Sequence, residues 1–231
     1  MTVQPESELT VRVKEPYSEQ VAQILRRSIL SGHYGPGQRL NEVEISTSLG
    51  ISRSPIREGL RKLADEGLVV LKPGRGAFVA SFAATEVQEL MELRQALDVM
   101  AARLAAQRAT EAQMADIQRS LEAAPAALKG GEPVPPWSSD FHLLILRASG
   151  NRRIAERGAE VHQQLRLVRF RSGSSADRTQ EAHDEHQAIL DAIRARDVEL
   201  AGRRMQDHLA AAAAHISRVV QTDHLGADLV S

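Results

Sequence analysis

Between residues 17 and 80 the apolar positions fall into short helical runs that then stop. Val21, Ile24, Leu25 and Ile29 recur at helical spacing, with Ser18 placed to cap the run and Ser31-Gly32 to close it. The turn cluster His33-Tyr34-Gly35-Pro36-Gly37 follows. Asn41 and Glu44 stand in the N-x-x-E relation of a capping box and start a second short helix through Leu49. Gly50-Ile51 turns the chain into a third. There Ser52 is the predicted N-cap, Pro55 sits in the first turn, and Ile56, Leu60, Leu63 and Ala64 make one apolar stripe. Gly67 ends it. Leu68–Lys72 is then a short β-prone run, Pro73-Gly74-Arg75-Gly76 turns, and Ala77–Ala80 returns as a hairpin. A helix, a helix-turn-helix and a hairpin in that order predict a winged helix.

Past residue 82 the pattern is helical throughout. The predicted helices run from Thr85 to about Arg108, Thr110 to Leu128, Ser138 to Ser149, Asn151 to Arg171, Ala176 to Arg194, and Asp197 to Val220. In the first of these the expected core stripe is Leu90, Leu93, Leu97, Met100, Ala101 and Leu104. The one clear break is Lys129–Pro136. The expected class is therefore mainly α: an N-terminal winged helix-turn-helix followed by an all-α antiparallel helical bundle. The expected plan is a disordered arm over 1–16, a winged helix over 17–80, a linker over 81–84, a bundle over 85–222 and a tail over 223–231.

Charge narrows what the winged helix can do. The net charge is −1, so any nucleic-acid surface must be local. Between Arg53 and Arg75, however, six Lys/Arg stand against three Asp/Glu. Arg53, Ser54, Arg57, Arg61 and Lys62 lie at the front end of the third helix and beside its apolar stripe. A helix of that kind can enter a major groove, where Arg bonds a guanine edge and hydroxyls hold phosphates. Taken alone it is equally a solvated amphipathic helix. Arg75 gives the hairpin a basic tip that is expected to meet phosphate or a minor groove. There is no cysteine for disulfide or thiolate chemistry, the start is polar and acidic rather than a signal peptide, and no apolar run spans a bilayer. A cytoplasmic protein with no membrane partner is expected.

In the helical part, His142, His186 and His208 each lie on the apolar side of a different predicted helix. Such a set is a plausible divalent-metal site. Each of the three is also explained as a buried neutral imidazole satisfied by a neighbour.

The run PGQRLNEVEISTSLGISRSPIREGLRKLADEGLVVLKPGRGAFV resembles the DNA-binding domain of the GntR superfamily of bacterial transcription regulators. The resemblance implies operator contacts from Ser52, Arg53, Ser54 and Arg57, with Gly74 at the wing tip. Two positions depart from it: Val43 stands where many members have arginine, and Gly59 where alanine is usual, at about 1 kcal/mol of helix propensity. Phe141–Asn151 (FHLLILRASGN), Glu185–Ile193 (EHQAILDAI) and Met205–His208 resemble the ligand-binding FCD domain of the FadR branch, in its six-helix, VanR-like form. That resemblance implies a divalent metal (Zn, Ni or Mn) on His142, His186 and His208. Ser138 stands where an aspartate is usual, and Asp140 is too far around the helix to replace it. Arg94 matches a frequent FCD arginine and is the candidate for an effector carboxylate, with Arg166 and Arg169 as further candidates.

The expected function is a homodimeric repressor of a catabolic or transport operon. It binds double-stranded operator DNA and is released by a small carboxylate or sugar-acid effector. The alternatives are a helical metalloenzyme built on the His set and an architectural DNA-binding protein without an effector.

Overall fold

The computed structural model describes residues 16–129, 136–169 and 176–227, as backbone alone at 124–129, 136–140, 169, 176–179 and 215–227. The chain divides into two compact units between Val79 and Ala80.

In the first unit α1 (Tyr17–Leu30), α2 (Glu42–Leu49) and α3 (Arg53–Asp65) are followed by β2 (Val69–Lys72) and β3 (Gly76–Val79). The two strands pair antiparallel, with Val69 opposite Val79 and Lys72 opposite Gly76. A third strand, β1 (Arg39–Leu40), pairs with β3 on its other side, giving the order β1-β3-β2. Two residues are too few to show a strand period, so β1 is not foreseen in the sequence pattern. The wing turns at Gly74, whose φ of +68° favours glycine.

Within the first unit, caps differ from expectation in three places. Pro16, not Ser18, holds the N-cap of α1, and Ser18 is buried inside the helix. Ser52 is at the N-cap of α3 but its side chain makes no capping bond. Asn41 caps α2 by accepting from the Val43 N–H at 3.0 Å, while its amide donates to Glu44 at 2.7 Å. The N-x-x-E pair is thus joined side chain to side chain rather than as a reciprocal box.

The stripe of α3 is as expected at Ile56, Leu60 and Leu63, which are fully buried, while Ala64 is half-buried. Full burial of such side chains is worth about 1.5–3 kcal/mol each, more than Gly59 takes away. Gly59 itself faces α1. A Cβ there would lie 2.8 Å from Val21 Cγ1 and 3.1 Å from the Ser18 carbonyl. The glycine therefore permits a close helix crossing, and the propensity penalty read from sequence is only half of its effect. Arg26 on α1 bonds Glu66, and Lys62 is drawn to Glu19 at 2.6 Å. Lys62 is thus tied to α1.

The second unit is α4 (Ala84–Arg108), α5 (Glu111–Lys129), α6 (Pro136–Ala148), α7 (Arg152–Arg169), α8 (Ala176–Arg194) and α9 (Val198–Ala227). α9 extends past the predicted end, so residues 223–227 of the expected tail are helical. The expected arm lies outside the described residues except Pro16, as do residues 130–135 of the expected break. Thr110 and Gln113 form the reciprocal cap at the start of α5. Thr85 does not cap α4; Glu86 reaches back to the Ala83 N–H at 2.7 Å instead.

The buried face of α4 is rotated from the predicted stripe. Met91, Arg94, Asp98, Ala101, Ala102, Ala105 and Ala106 are buried, whereas Leu93 and Met100 are 48% and 44% exposed. The reason is that this face carries two polar side chains, which an apolar period passes over. Small alanines let α4 approach the core of Ile117, Phe141, Ile145, Ile189, Ile193 and Met205 closely.

Candidate functional site

Two groups of side chains carry chemistry, one in each unit. In the first, Ser52, Arg53, Ser54 and Arg57 are all exposed at the N-terminal end of α3. Ile56, buried between them, fixes their side of the helix. Gly74 and Arg75 are exposed at the wing tip. Glu42, the first residue of α2, accepts from Arg57 Nε at 2.8 Å and lies 3.5 Å from Arg53 Nη2. Val43, at the position where many relatives were expected to carry arginine, is exposed.

In the second unit the three predicted histidines come together. His142 of α6, His186 of α8 and His208 of α9 are all buried. His142 Nε2 lies 3.1 Å from His208 Nε2, and His186 Nε2 lies 3.2 Å from His208 Nε2. Nitrogens tetrahedrally placed about a zinc-sized ion stand roughly 3.3 Å apart. Phe141 stacks on the His186 ring at 4.0 Å. Glu185 accepts from His208 Nδ1 at 2.6 Å, which leaves His208 Nε2 with its lone pair facing the other rings.

Arg94 enters this chamber from α4. It is 1% exposed, with Nε 3.3 Å from Asp98 Oδ2 and Nη2 2.9 Å from His142 Nε2. A guanidinium only donates, so His142 Nε2 accepts and its proton belongs on Nδ1. That Nδ1 is 3.1 Å from Asp98 Oδ2, a close contact short of good hydrogen-bond alignment. Arg94 Nη1 is buried with no hydrogen-bond partner. His162 of α7 also bonds Asp98, at 3.0 Å.

Burial pushes His142 and His186 well below the ordinary imidazole range, aided by the Arg94 charge at His142 and by His208 at His186. Both are therefore held neutral, the form that ligates. At Asp98 burial works to raise the carboxyl, but the His162 charge, the close His142 ring and the bond from His162 outweigh it. The group is held well below the usual carboxylate range.

Two groups of side chains in the described residues have metal-ligand spacing: His142, His186 and His208, and Asp98, His142 and His162. The donor set of the first fits a divalent metal, provided that Arg94 Nη2 yields His142 Nε2. In the second, the Arg94 guanidinium already lies on the carboxylate.

The apolar period of the sequence does not single out Asp98, His162 or Glu185. The available signal was Asp98 four residues after Arg94, on the same face as Met91 and Ala101, and His162 between the buried Val161 and Leu165. Arg166 is half-buried one turn after His162 on α7. The side chains of Ser138, Asp140 and Arg169 lie outside the described residues.

The arrangement is a winged helix with exposed arginines at the start of α3, followed by a helical unit that buries Arg94, Asp98 and three converging imidazoles. Residues 17–79 match the family "Bacterial regulatory proteins, gntR family", and residues 89–211 match the FCD domain. The chain is 28% identical over 197 residues to the HTH-type transcriptional repressor RspR of Escherichia coli (strain K12), covering 84% of this chain and 86% of that one. It is 31% identical over 200 residues, with the same coverages, to the "Probable D-xylose utilization operon transcriptional repressor" of Paenarthrobacter nicotinovorans. The solved structure of E. coli McbR/YncC superposes with a TM-score of 0.78 over 89% of this chain and 99% of that one; at 21% identity the likeness speaks for the fold alone.

The chain belongs to the GntR family of bacterial regulatory proteins, with an FCD domain as its second unit. It is a ligand-responsive DNA-binding transcriptional regulator, and its family and relatives are regulators rather than enzymes. Among the described residues no helix is long and apolar enough to cross a membrane.

Proposed function

We propose that this regulator is a cytoplasmic homodimeric repressor that leaves its operator when a small carboxylate or sugar acid enters the helical chamber. The observation that carries the reading is Arg94: a fully buried guanidinium whose Nη1 has no hydrogen-bond partner, set beside three convergent imidazole nitrogens. A buried cationic donor left unpaired is costly, and a carboxylate supplies the missing acceptor. His142, His186 and His208 would hold a divalent metal through Nε2. A metal held there would supply Lewis-acid attraction for an oxygen of the effector. Arg94 would turn Nη2 from His142 to the same anion, and Asp98, 3.1 Å from His142 Nδ1, would keep that ring in place. Arg166, on the His162 side of α7, is a second candidate for the anion, and Arg169 a third.

On the DNA side, Ser52, Arg53, Ser54 and Arg57 enter the major groove, and Gly74 and Arg75 bring the wing to the backbone. The DNA-binding domain is assigned to 17–80 and the effector domain to 85–222, in keeping with the division after Val79. Two subunits on neighbouring half-sites would bind a pseudo-palindromic operator. The exposed Leu93 and Met100, seven residues apart on α4, are consistent with a second copy covering that face.

The test is metal analysis of the purified protein, then thermal shift against carboxylic and sugar acids with and without Zn²⁺, Ni²⁺ and Mn²⁺. A ligand at 100 times its dissociation constant adds about 2.7 kcal/mol, and the same compound must release a bound operator duplex. Ser138→Asp should increase metal retention. No metal in the parent or in Ser138→Asp, with acid binding retained, would leave the histidines as polar lining around Arg94. Acid binding that survives Arg94→Met would remove Arg94 from the reading.

A further inference from the structure

Glu42 stands between the two arginines that face DNA, where a negative charge works against phosphate. It is the first residue of α2, held there by the Asn41 cap, and its side chain is 25% exposed. Its Oε2 takes the Arg57 Nε–H at 2.8 Å and lies 3.5 Å from Arg53 Nη2. Both arginine side chains are otherwise more than half exposed.

Which edge of Arg57 is engaged decides what remains. A guanidinium has five N–H donors in a rigid plane. With Nε occupied, the Nη1–Nη2 end stays open, and that end can meet guanine O6 and N7 with two parallel bonds. The Arg57 side chain loses rotamer freedom to Glu42 before any DNA arrives, so less is lost on binding. The contribution of Glu42 to general DNA affinity has the opposite sign, since it repels the backbone.

We propose that Glu42 is a specificity-determining positioning residue: it holds Arg57 by Nε so that the Nη edge is presented end-on to a guanine. This rests on the reading that α3 enters the operator groove. Glu42 trades unspecific attraction for discrimination.

A duplex selected by the full-length protein from a random DNA library, and a scrambled duplex of the same composition, are the probes. Glu42→Ala should lower the ratio of selected to scrambled affinity about tenfold, in the range of a bidentate base contact. It should also bind the scrambled duplex as well as the parent, or about twofold better. The ratio does not depend on the fraction of protein folded, so a loss of stability cannot imitate this result. Glu42→Gln keeps an acceptor for Nε without the charge, and should keep most of the ratio while gaining on the scrambled duplex. Arg57→Ala should lose the ratio as well, and adding Glu42→Ala to it should change the ratio no further. If Glu42→Ala strengthens both duplexes equally, Glu42 is only a charge and the proposal fails. Additive losses in the double variant would also sink it. If Arg57→Ala leaves the ratio unchanged, it is the groove-entry reading that fails.

Discussion

Two pairs of the same groups, a guanidinium and a carboxylate, stand in opposite surroundings, one in each unit. Arg57 and Glu42 meet at 2.8 Å at the surface, with the arginine 55% exposed. Arg94 and Asp98 meet at 3.3 Å with both side chains 1% exposed. The surface pair is screened by water, so breaking it leaves charges that solvent accepts, and the Nη edge of the arginine stays open while Nε is held. The buried pair has no such alternative. Removing either member strands the other in a medium that does not solvate it. On the proposed reading one pairing serves recognition, and the other holds the buried histidine cluster together.

The largest expected effect breaks the buried side of this comparison. Asp98→Ala should destabilise the protein by about 3–5 kcal/mol, measured as a shift in urea unfolding, whereas Glu42→Ala should stay within about 1 kcal/mol. The double change Arg94→Met with Asp98→Leu should recover most of the loss, because no buried charge remains. Equal sensitivity of the two pairs would mean that Arg94 and Asp98 are hydrated in solution.

A second effect separates the units by pH. His142 and His186 have folded values below their unfolded ones, so the unfolded chain takes up protons that the folded chain refuses. Stability in the metal-free protein is therefore full above roughly pH 6.5. It falls as pH drops below that, by up to about 1.4 kcal/mol per pH unit for each histidine. Asp98, also depressed, adds a loss only as pH falls below the ordinary carboxyl range. Urea unfolding between pH 8 and pH 5 measures the slope, and His186→Gln should make it shallower. A flat profile would place the imidazoles in water.

Arg53→Ala and Arg57→Ala should each remove roughly 1–3 kcal/mol of sequence-specific affinity with unfolding unchanged. Parent-like binding by both would remove α3 from the groove. The smallest effect belongs to the wing: Arg75→Ala should weaken all duplexes alike and make the salt slope shallower by about one unit. A loss confined to one base position would instead make Arg75 a base reader.

Much of the DNA-facing unit was legible because it is built from local signals. Ile56, Leu60 and Leu63 bury as their spacing predicts, and Gly50, Gly67 and Gly74 all take positive φ at the turns. Caps were less legible. Ser18 and Thr85 had the right side chains, yet Pro16 and Ala83 hold the N-cap positions, since a cap depends on where the neighbouring turn leaves the backbone. In α4 the error was systematic. The apolar period puts Leu93 and Met100 in the core, while the helix buries Arg94 and Asp98 and leaves those two outside.

By itself the sequence determined the helix-turn-helix and hairpin, the helical second unit, and three histidines on three helices. These follow from periods of two and 3.6 and from residues that fix φ, and both act over a few positions of chain. It could not determine that Asp98, 44 residues before His142, lies 3.1 Å from it, or that Arg94 shares the same imidazole. Nor could it show that Glu42 reaches across 15 residues to Arg57. A lone acidic residue on a helix has the same local pattern whether water or a buried imidazole meets it. Only the packing of one helix on another removes the water, and with it the difference between a solvated charge and a functional one.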